Sequence, residues 1–269
     1  MSRLSPNSQV RLHRPDFHHL ILITHGTGTA VVDFVDHGCE PGTLLHVRPG
    51  QVQRLPRPLP DSPAALDAEI ILFTAAFPPD LERLAGLLDQ STGPTVYHLT
   101  EDQRADIARA MDELFIEYHR ATREQQKADP TLDVLRLLLG VVLLRVARLP
   151  GPGGGDGAVD DAFRRFQHEL ERSYAITRSA ADYADRIGYS PRTLNRVCQA
   201  ATGRSAKALI DARVALEAKR LLAHTALPVA AISRRLGFSE PTNFVKFFAR
   251  EAETTPGAFR DQEQGKTAG

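Results

Sequence analysis

The last hundred or so residues of this chain repeat themselves. Ile187-Gly188-Tyr189-Ser190 matches Leu236-Gly237-Phe238-Ser239, and Leu194, Arg196, Val197 and Ser205 match Phe244, Lys246, Phe247 and Thr255, at an offset of 49 to 50 residues. A duplication of this length restricts the region to two like units, each small and each reading as helix, glycine turn, helix. In the first copy Ser179, with Asp182 three residues on, resembles a capping box, and Ala180, Tyr183, Ala184 and Ile187 supply one inward face. Gly188 ends that helix where a left-handed residue is needed. Ser190 then caps a second helix with Pro191 at its first position, where the missing N–H costs nothing. The second copy repeats the plan, with Pro228 opening its first helix, Ile232 and Leu236 facing inward, Gly237 at the turn and Ser239 as cap.

On the second helix of each copy the apolar residues fall on one side. Leu194, Val197, Cys198 and Ala201 share a face, as do Phe244, Phe247 and Phe248. The remaining surface is polar and basic: Arg192, Thr193, Asn195, Arg196 and Gln199 in one copy, Glu240, Thr242, Asn243 and Lys246 in the other. A tight turn followed by a capped helix with such an outer face is the helix-turn-helix arrangement, whose second helix enters the DNA major groove. Between the copies Ser205 caps a helix running to about Thr225. Some 20 helical residues span about 30 Å, close to the roughly 34 Å between successive major grooves on one face of B-DNA.

The rest of the chain has another character. His19–Thr24 and Thr29–Val35 are β-rich runs around His25-Gly26-Thr27-Gly28, which reads as a hairpin; Gly42–Val47 and Glu69–Thr74 add further short strands, suggesting a small barrel or sandwich. From about Asp102 the period becomes helical, with Ile107, Met111, Leu114, Phe115 and Tyr118 on one face. A second helix after Pro130 carries Leu132, Leu135, Leu138, Leu139, Val142, Leu143 and Val146, a stripe broad enough to be buried on the barrel or on the same helical pair of a second subunit. Pro150-Gly151-Pro152-Gly153-Gly154-Gly155-Asp156-Gly157 reads as a flexible linker. The expected organisation is therefore α+β with two domains. The first, 1–149, is a β-barrel with a helical hairpin; a linker follows at 150–158. The second, 159–262, is all-α, with helix-turn-helix units at about 179–202 and 228–252 joined by a long helix, and 263–269 form a disordered tail.

Zero net charge overall conceals an asymmetry. Cut near residue 160, the N-terminal part carries a net −5 and residues 160–262 a net +5, the pattern expected if only the latter approaches a polyanion. No apolar run approaches the length of a membrane span, and the start, Met-Ser-Arg-Leu-Ser-Pro, lacks the apolar stretch of a secretory signal, so a cytoplasmic location is expected. Cys39 and Cys198 are too few for a disulfide framework or zinc site and read as small buried hydrophobes.

Ser190-Pro191-Arg192-Thr193-Leu194, Gly203-Arg204-Ser205, Arg213, Leu221-Leu222, Ile232, Gly237-Phe238-Ser239, Asn243-Phe244, Phe247-Phe248, Thr255-Pro256 and Phe259-Arg260 together resemble the signature of the AraC/XylS DNA-binding domain. More loosely, the N-terminal part is similar to the cupin-like sensory and dimerisation domains of that family. The resemblance implies a transcription regulator that binds promoter DNA with both units, usually as a homodimer, most often activating by contact with RNA polymerase, in some members under a small-molecule effector. Two positions depart from the pattern. Glu253 stands where a glycine usually closes the last recognition helix, and Cys198 where an aromatic is usual.

On the matching helices Arg192, Asn195 and Arg196 are the candidates for base edges, since Arg suits guanine O6/N7 and Asn suits adenine N6/N7. Thr193 lies beside them. Thr242, Asn243 and Lys246 are the second unit's counterparts, with Glu240 able to accept from cytosine N4. Arg178, Arg204, Arg234 and Arg235 are expected at phosphates, adding affinity without sequence information. The rival class is a cupin-fold metal-dependent or ligand-binding protein with an accessory DNA-binding domain. Against it, His18 and His19 are adjacent and point to opposite faces of a strand, and His25, His37 and His46 have no reason in the sequence to converge. Gly26-Thr27-Gly28 precedes a strand rather than a helix, so it does not read as a phosphate loop, and no Ser-His-Asp spacing stands out. The expectation is a non-enzyme without metal or cofactor.

Overall fold

A computed structural model describes residues 13–59, 65–88, 94–123, 129–149 and 157–268. The chain divides into two compact units, Met1–Pro152 and Gly153–Gly269. Most of the expected linker, 150–156, lies outside the described residues, and 157–158 already belong to a helix.

In the first unit the strands are β1 (His18–His25), β2 (Gly28–Val32), β3 (Val35–Cys39), β4 (Thr43–Val47), β5 (Gln53–Pro58), β6 (Asp67–Phe73) and β7 (Val96–His98). They form a four-stranded sheet, β6-β1-β4-β7, and a three-stranded sheet, β3-β2-β5, antiparallel throughout. Among the described residues no strand pairing joins the two, so the expected barrel is not closed. The sheets share a core of Ile21, Ile23, Ala30, Cys39, Leu45 and Leu55. The expected β1–β2 hairpin is also corrected, because those strands lie in different sheets. Gly26 and Gly28 mark a corner where the chain crosses between layers: a Cβ on Gly26 would come within 2.3 Å of the Ala65 carbonyl oxygen, and one on Gly28 within 2.1 Å of that of Arg57.

The actual hairpin is β2–β3, in register Val32 opposite Val35. Its two turn residues, Asp33 and Phe34, both have positive φ, 51° and 67°, the form of a type I′ turn without glycine. Asp33 holds it by accepting from the Val52 backbone N–H (3.0 Å) and the Gln51 side-chain amide (2.8 Å).

Helices α1 (Glu82–Leu88), α2 (Glu101–Arg123) and α3 (Asp129–Ala147) cover one face of the four-stranded sheet. Leu20, Leu22, Leu44, Ile71 and Phe73 of that face pack with Ile107, Met111 and Leu114 of α2 and Leu135, Leu139, Val142, Leu143 and Val146 of α3. Each such side chain contributes about 1.5–3 kcal/mol when fully buried, so the hairpin's attachment is mainly intradomain. Tyr118 and Leu132, expected to face inward, are exposed, at 54% and 48%.

The second unit is all-helical: α4 (Gly157–Ser173), α5 (Ala180–Arg186), α6 (Pro191–Thr202), α7 (Ala206–His224), α8 (Val229–Arg235), α9 (Pro241–Ala252) and α10 (Pro256–Ala268). Phe166 and Leu170 of α4 complete a core with Tyr183, Ala184, Leu194, Cys198, Ala206 and Ile210, where burial pushes the Cys198 thiol up to about 12. Phe166 meets Tyr183 edge to face at 5.8 Å, so an aromatic from α4 lies in the same core as Cys198, the position where an aromatic is usual. A run of phenylalanines, 238, 244, 247, 248 and 259, builds the second core. The tail expected to be disordered is helical through residue 268. Thr255 Oγ1 accepts from the Ala258 N–H, and α10 buries Phe259 and Glu263.

Candidate nucleic-acid interface

Local chemistry shapes both turns. In the first, Ser179 accepts from the Asp182 N–H, Gly188 has φ +77°, and Ser190 Oγ accepts from the Thr193 N–H at 3.1 Å ahead of Pro191. In the second, Gly237 has φ +73°. The cap there differs from expectation: Glu240, not Ser239, is the residue before α9, and its side chain makes no capping bond. Glu240 is one residue more than the first copy has between turn and proline, which is why the repeat offset grows from 49 to 50. Its carboxylate still suits the positive end of a helix.

The outer face of α6 gathers Arg192, Thr193, Asn195, Arg196, Gln199 and Ala200 around a recess of about 640 Å³. Arg192 and Arg196 are exposed. Asn195 is exposed but partly engaged: its Oδ1 accepts from the Ala206 N–H at 3.2 Å, tying α6 to the start of α7. One lone pair of that oxygen and both amide donors remain, so the bond restrains the side chain while leaving it able to accept and donate at a base edge. On α9, Thr242, Asn243 and Lys246 are exposed, as is Val245, the residue corresponding to Asn195.

Arg204, Arg234 and Arg235 are exposed, Arg204 also donating to the Ala208 carbonyl (3.2 Å). Arg178, expected at a phosphate, is turned inward. Its guanidinium lies 3.7 Å over the Phe238 ring and donates through Nη1 to the carbonyls of Leu236 (3.2 Å) and Gly237 (3.3 Å). Burial lowers its pKa, opposed by the charge of Asp211. Nothing in the local sequence announces this contact, because the partners lie about 60 residues away.

Between the units, α7 is 19 residues long, about 28 Å at 1.5 Å per residue. Ser205 caps it through the Ala208 N–H. An ion-pair cluster fastens it to α4: Arg213 donates to both carboxylate oxygens of Glu171 (2.6 and 2.8 Å), stacks 4.0 Å over Tyr174 and meets Glu217 at 3.3 Å. Burial opposes the Arg213 charge, but the bonds to Glu171 and the two carboxylates outweigh it and raise its pKa.

Sequence reasoning missed a pair of buried histidines in the first unit. His46 lies opposite Leu20 in register and so shares its face with His18. The two rings meet at 3.1 Å, Nδ1 of His18 to Nε2 of His46, with His18 also stacked on Phe73. Strand register carried that signal. Burial first, then the Arg48 charge, lowers His18 to about 4 and His46 well below its ordinary value. Among the described residues no three His, Cys, Asp or Glu side chains are grouped to hold a metal.

Residues 183–262 match a family described as a helix-turn-helix domain. Along nearly its whole length the chain is similar to the HTH-type transcriptional activator RhaS of Citrobacter koseri, at 26% identity over 98% of this chain and 91% of that protein. It is similar also to RhaS of Escherichia fergusonii, at 25% identity over 95% and 88%. The crystal structure of ToxT from Vibrio cholerae aligns over 93% of this chain and 91% of its own, with 11% identity and a TM-score of 0.46. Residues 183–262 thus form a helix-turn-helix domain whose two units resemble the AraC/XylS signature, in a chain similar along nearly its whole length to transcriptional activators.

Proposed function

We propose that the chain activates transcription by inserting α6 and α9 into successive major grooves of a promoter. The observation that carries this reading is the exposure of two polar, basic helix faces at the ends of a spacer about 28 Å long. Arg192, Asn195 and Arg196 read base edges in one groove; Thr242, Asn243 and Lys246 read the other, with Glu240 at its margin. Arg204, Arg234 and Arg235 meet phosphates. Activation is supported by the similarity to RhaS activators and implies contact with RNA polymerase. The N-terminal unit serves as the sensory and dimerisation part, with the core between its two sheets as the default place for a small effector. Val134, Leu137 and Val141, spaced at i, i+3 and i+7 on α3 and 41%, 61% and 39% exposed, support a homodimer through that face. The protein acts in the bacterial cytoplasm as a regulator rather than an enzyme.

The test uses a duplex selected from a random library by the full-length protein. Affinity should fall steeply with salt as counterions are released. Arg196→Ala should cost about 1–3 kcal/mol and relax one base position, whereas Arg235→Ala should weaken all sequences alike and reduce the salt slope by about one. Equal losses for both variants on selected and random duplex would remove these roles, and a chain with no salt-sensitive affinity for any duplex would end the proposal.

A further inference from the structure

The spacer α7 is not the only connection between the two helix-turn-helix units. The loop after α4, residues 174–179, is pinned to the first unit: Ile176 and Thr177 N–H groups donate to the Ser173 carbonyl, Thr177 Oγ1 donates to Asp182 at 2.6 Å, and the Tyr183 hydroxyl donates to the Thr177 carbonyl at 3.2 Å. From this loop Arg178 reaches the turn of the second unit, stacking on Phe238 and donating to the Leu236 and Gly237 carbonyls. Beside it the Ala175 carbonyl oxygen sits so close to Gly237 that a Cβ there would come within 2.2 Å. Phe238 in turn packs on Phe244 (5.3 Å) and Phe247 (5.1 Å), both on α9. A third tie runs through the buried Asp211 of α7, which pairs with Lys207 and, at 3.2 Å, with Arg250 of α9.

We infer that Arg178 is a positioning residue that locks the two recognition helices at one separation and angle, so that the domain measures the distance between its two DNA sub-sites. A single helix can bend or roll about its axis. A helix braced by a stacked guanidinium, a glycine contact and an ion pair resists both, and the two helices then present one fixed geometry. Each inserted base pair moves a sub-site by about 3.4 Å and rotates it by roughly a tenth of a turn, more than such a braced pair can follow. The inference rests on the reading that both α6 and α9 enter grooves.

Binding of the full-length protein is measured on the selected duplex, on duplexes with one or two base pairs added between the sub-sites, and on each sub-site alone. Thermal melting checks that every variant is folded. Wild type should lose on the order of tenfold or more on insertion, the contribution of one helix's base contacts. Arg178→Ala should bind the original spacing a few-fold more weakly and lose most of the insertion penalty, while single sub-sites bind as in wild type. Arg178→Lys, which keeps the charge but has no planar group to stack on Phe238 while donating to the carbonyls, should behave like Arg178→Ala. If Arg178→Ala loses affinity equally at all spacings and Arg178→Lys restores it, Arg178 is a phosphate contact and the inference is overturned. It is equally overturned if both folded variants keep the wild-type penalty. A wild type indifferent to spacing would instead refute insertion of both helices.

Discussion

Replacing Glu253 by glycine should stabilise the second unit. Glu253 closes α9 with φ 56° and ψ 20°, the same left-handed conformation that Gly203 adopts (68°, 9°) at the end of α6. For a residue with a Cβ this conformation costs about 1–2 kcal/mol, and a carboxylate at a helix C-terminus adds about 0.3–1 kcal/mol at low salt. Glycine removes both but returns about 0.4–1 kcal/mol through the greater freedom of the unfolded chain. The balance is a gain of about 1 kcal/mol, which for a unit of this size raises its melting temperature by roughly 4 °C or more. Glu253→Gln isolates the charge, keeping the backbone penalty, and should gain about half as much. Calorimetry of the full chain reads both, the second unit's transition being the one that selected duplex shifts upward. A glycine variant no more stable than the glutamine variant would show that the left-handed turn carries no cost here.

Four further outcomes are expected. Asn195→Ala removes the acceptor of the Ala206 N–H and should cost about 0.5–2 kcal/mol of second-unit stability; an unchanged melting temperature would show that this bond does not hold α6 to the start of α7. Asp33→Ala strips the β2–β3 turn of its two side-chain bonds and should destabilise the first unit by about 1–3 kcal/mol, measured by denaturant unfolding. Acid should also weaken the first unit. His18 is held to about 4, chiefly by burial and then by the charges of Arg48 and His19, so below pH 6.5 the unfolded chain takes up a proton the fold refuses, and stability present above 6.5 is lost on the way to 4, up to about 2 kcal/mol by pH 5. His18→Gln should flatten that dependence in a pH series of melts, and a wild type already flat from pH 7 to 5 would refute it.

Much of the second unit was legible because its determinants are local. Ser190-Pro191, Ser205 and the glycine turns specify caps and stops within a few residues, and the phenylalanines of α9 fall on one face without help from elsewhere. α4 carries a local signal of the same kind, since Ala162, Phe166 and Leu170, all buried, sit four residues apart. The first unit resisted because strand pairing is settled over long separations. Gly26-Thr27-Gly28 looks like a hairpin and is a crossing between sheets, whereas Asp33-Phe34 looks like strand and is the turn, its positive φ values supported by Val52 and Gln51 far along the chain. The interface divided the same way. The exposed faces of α6 and α9 follow from helical period, but the engagement of Arg178 and Asn195 depends on partners that only the folded chain brings near.

Each compact unit contains one cysteine. Cys39 is 3% exposed and Cys198 fully buried, and burial raises their thiols to about 11 and 12. Neither forms appreciable thiolate at neutral pH, so oxidants and alkylating reagents in solution meet no nucleophile while the fold is intact. Modification of either sulfur then requires its own unit to open. A single labelling time course, resolved by peptide mass, would therefore clock the breathing of the two units separately in one unmodified molecule.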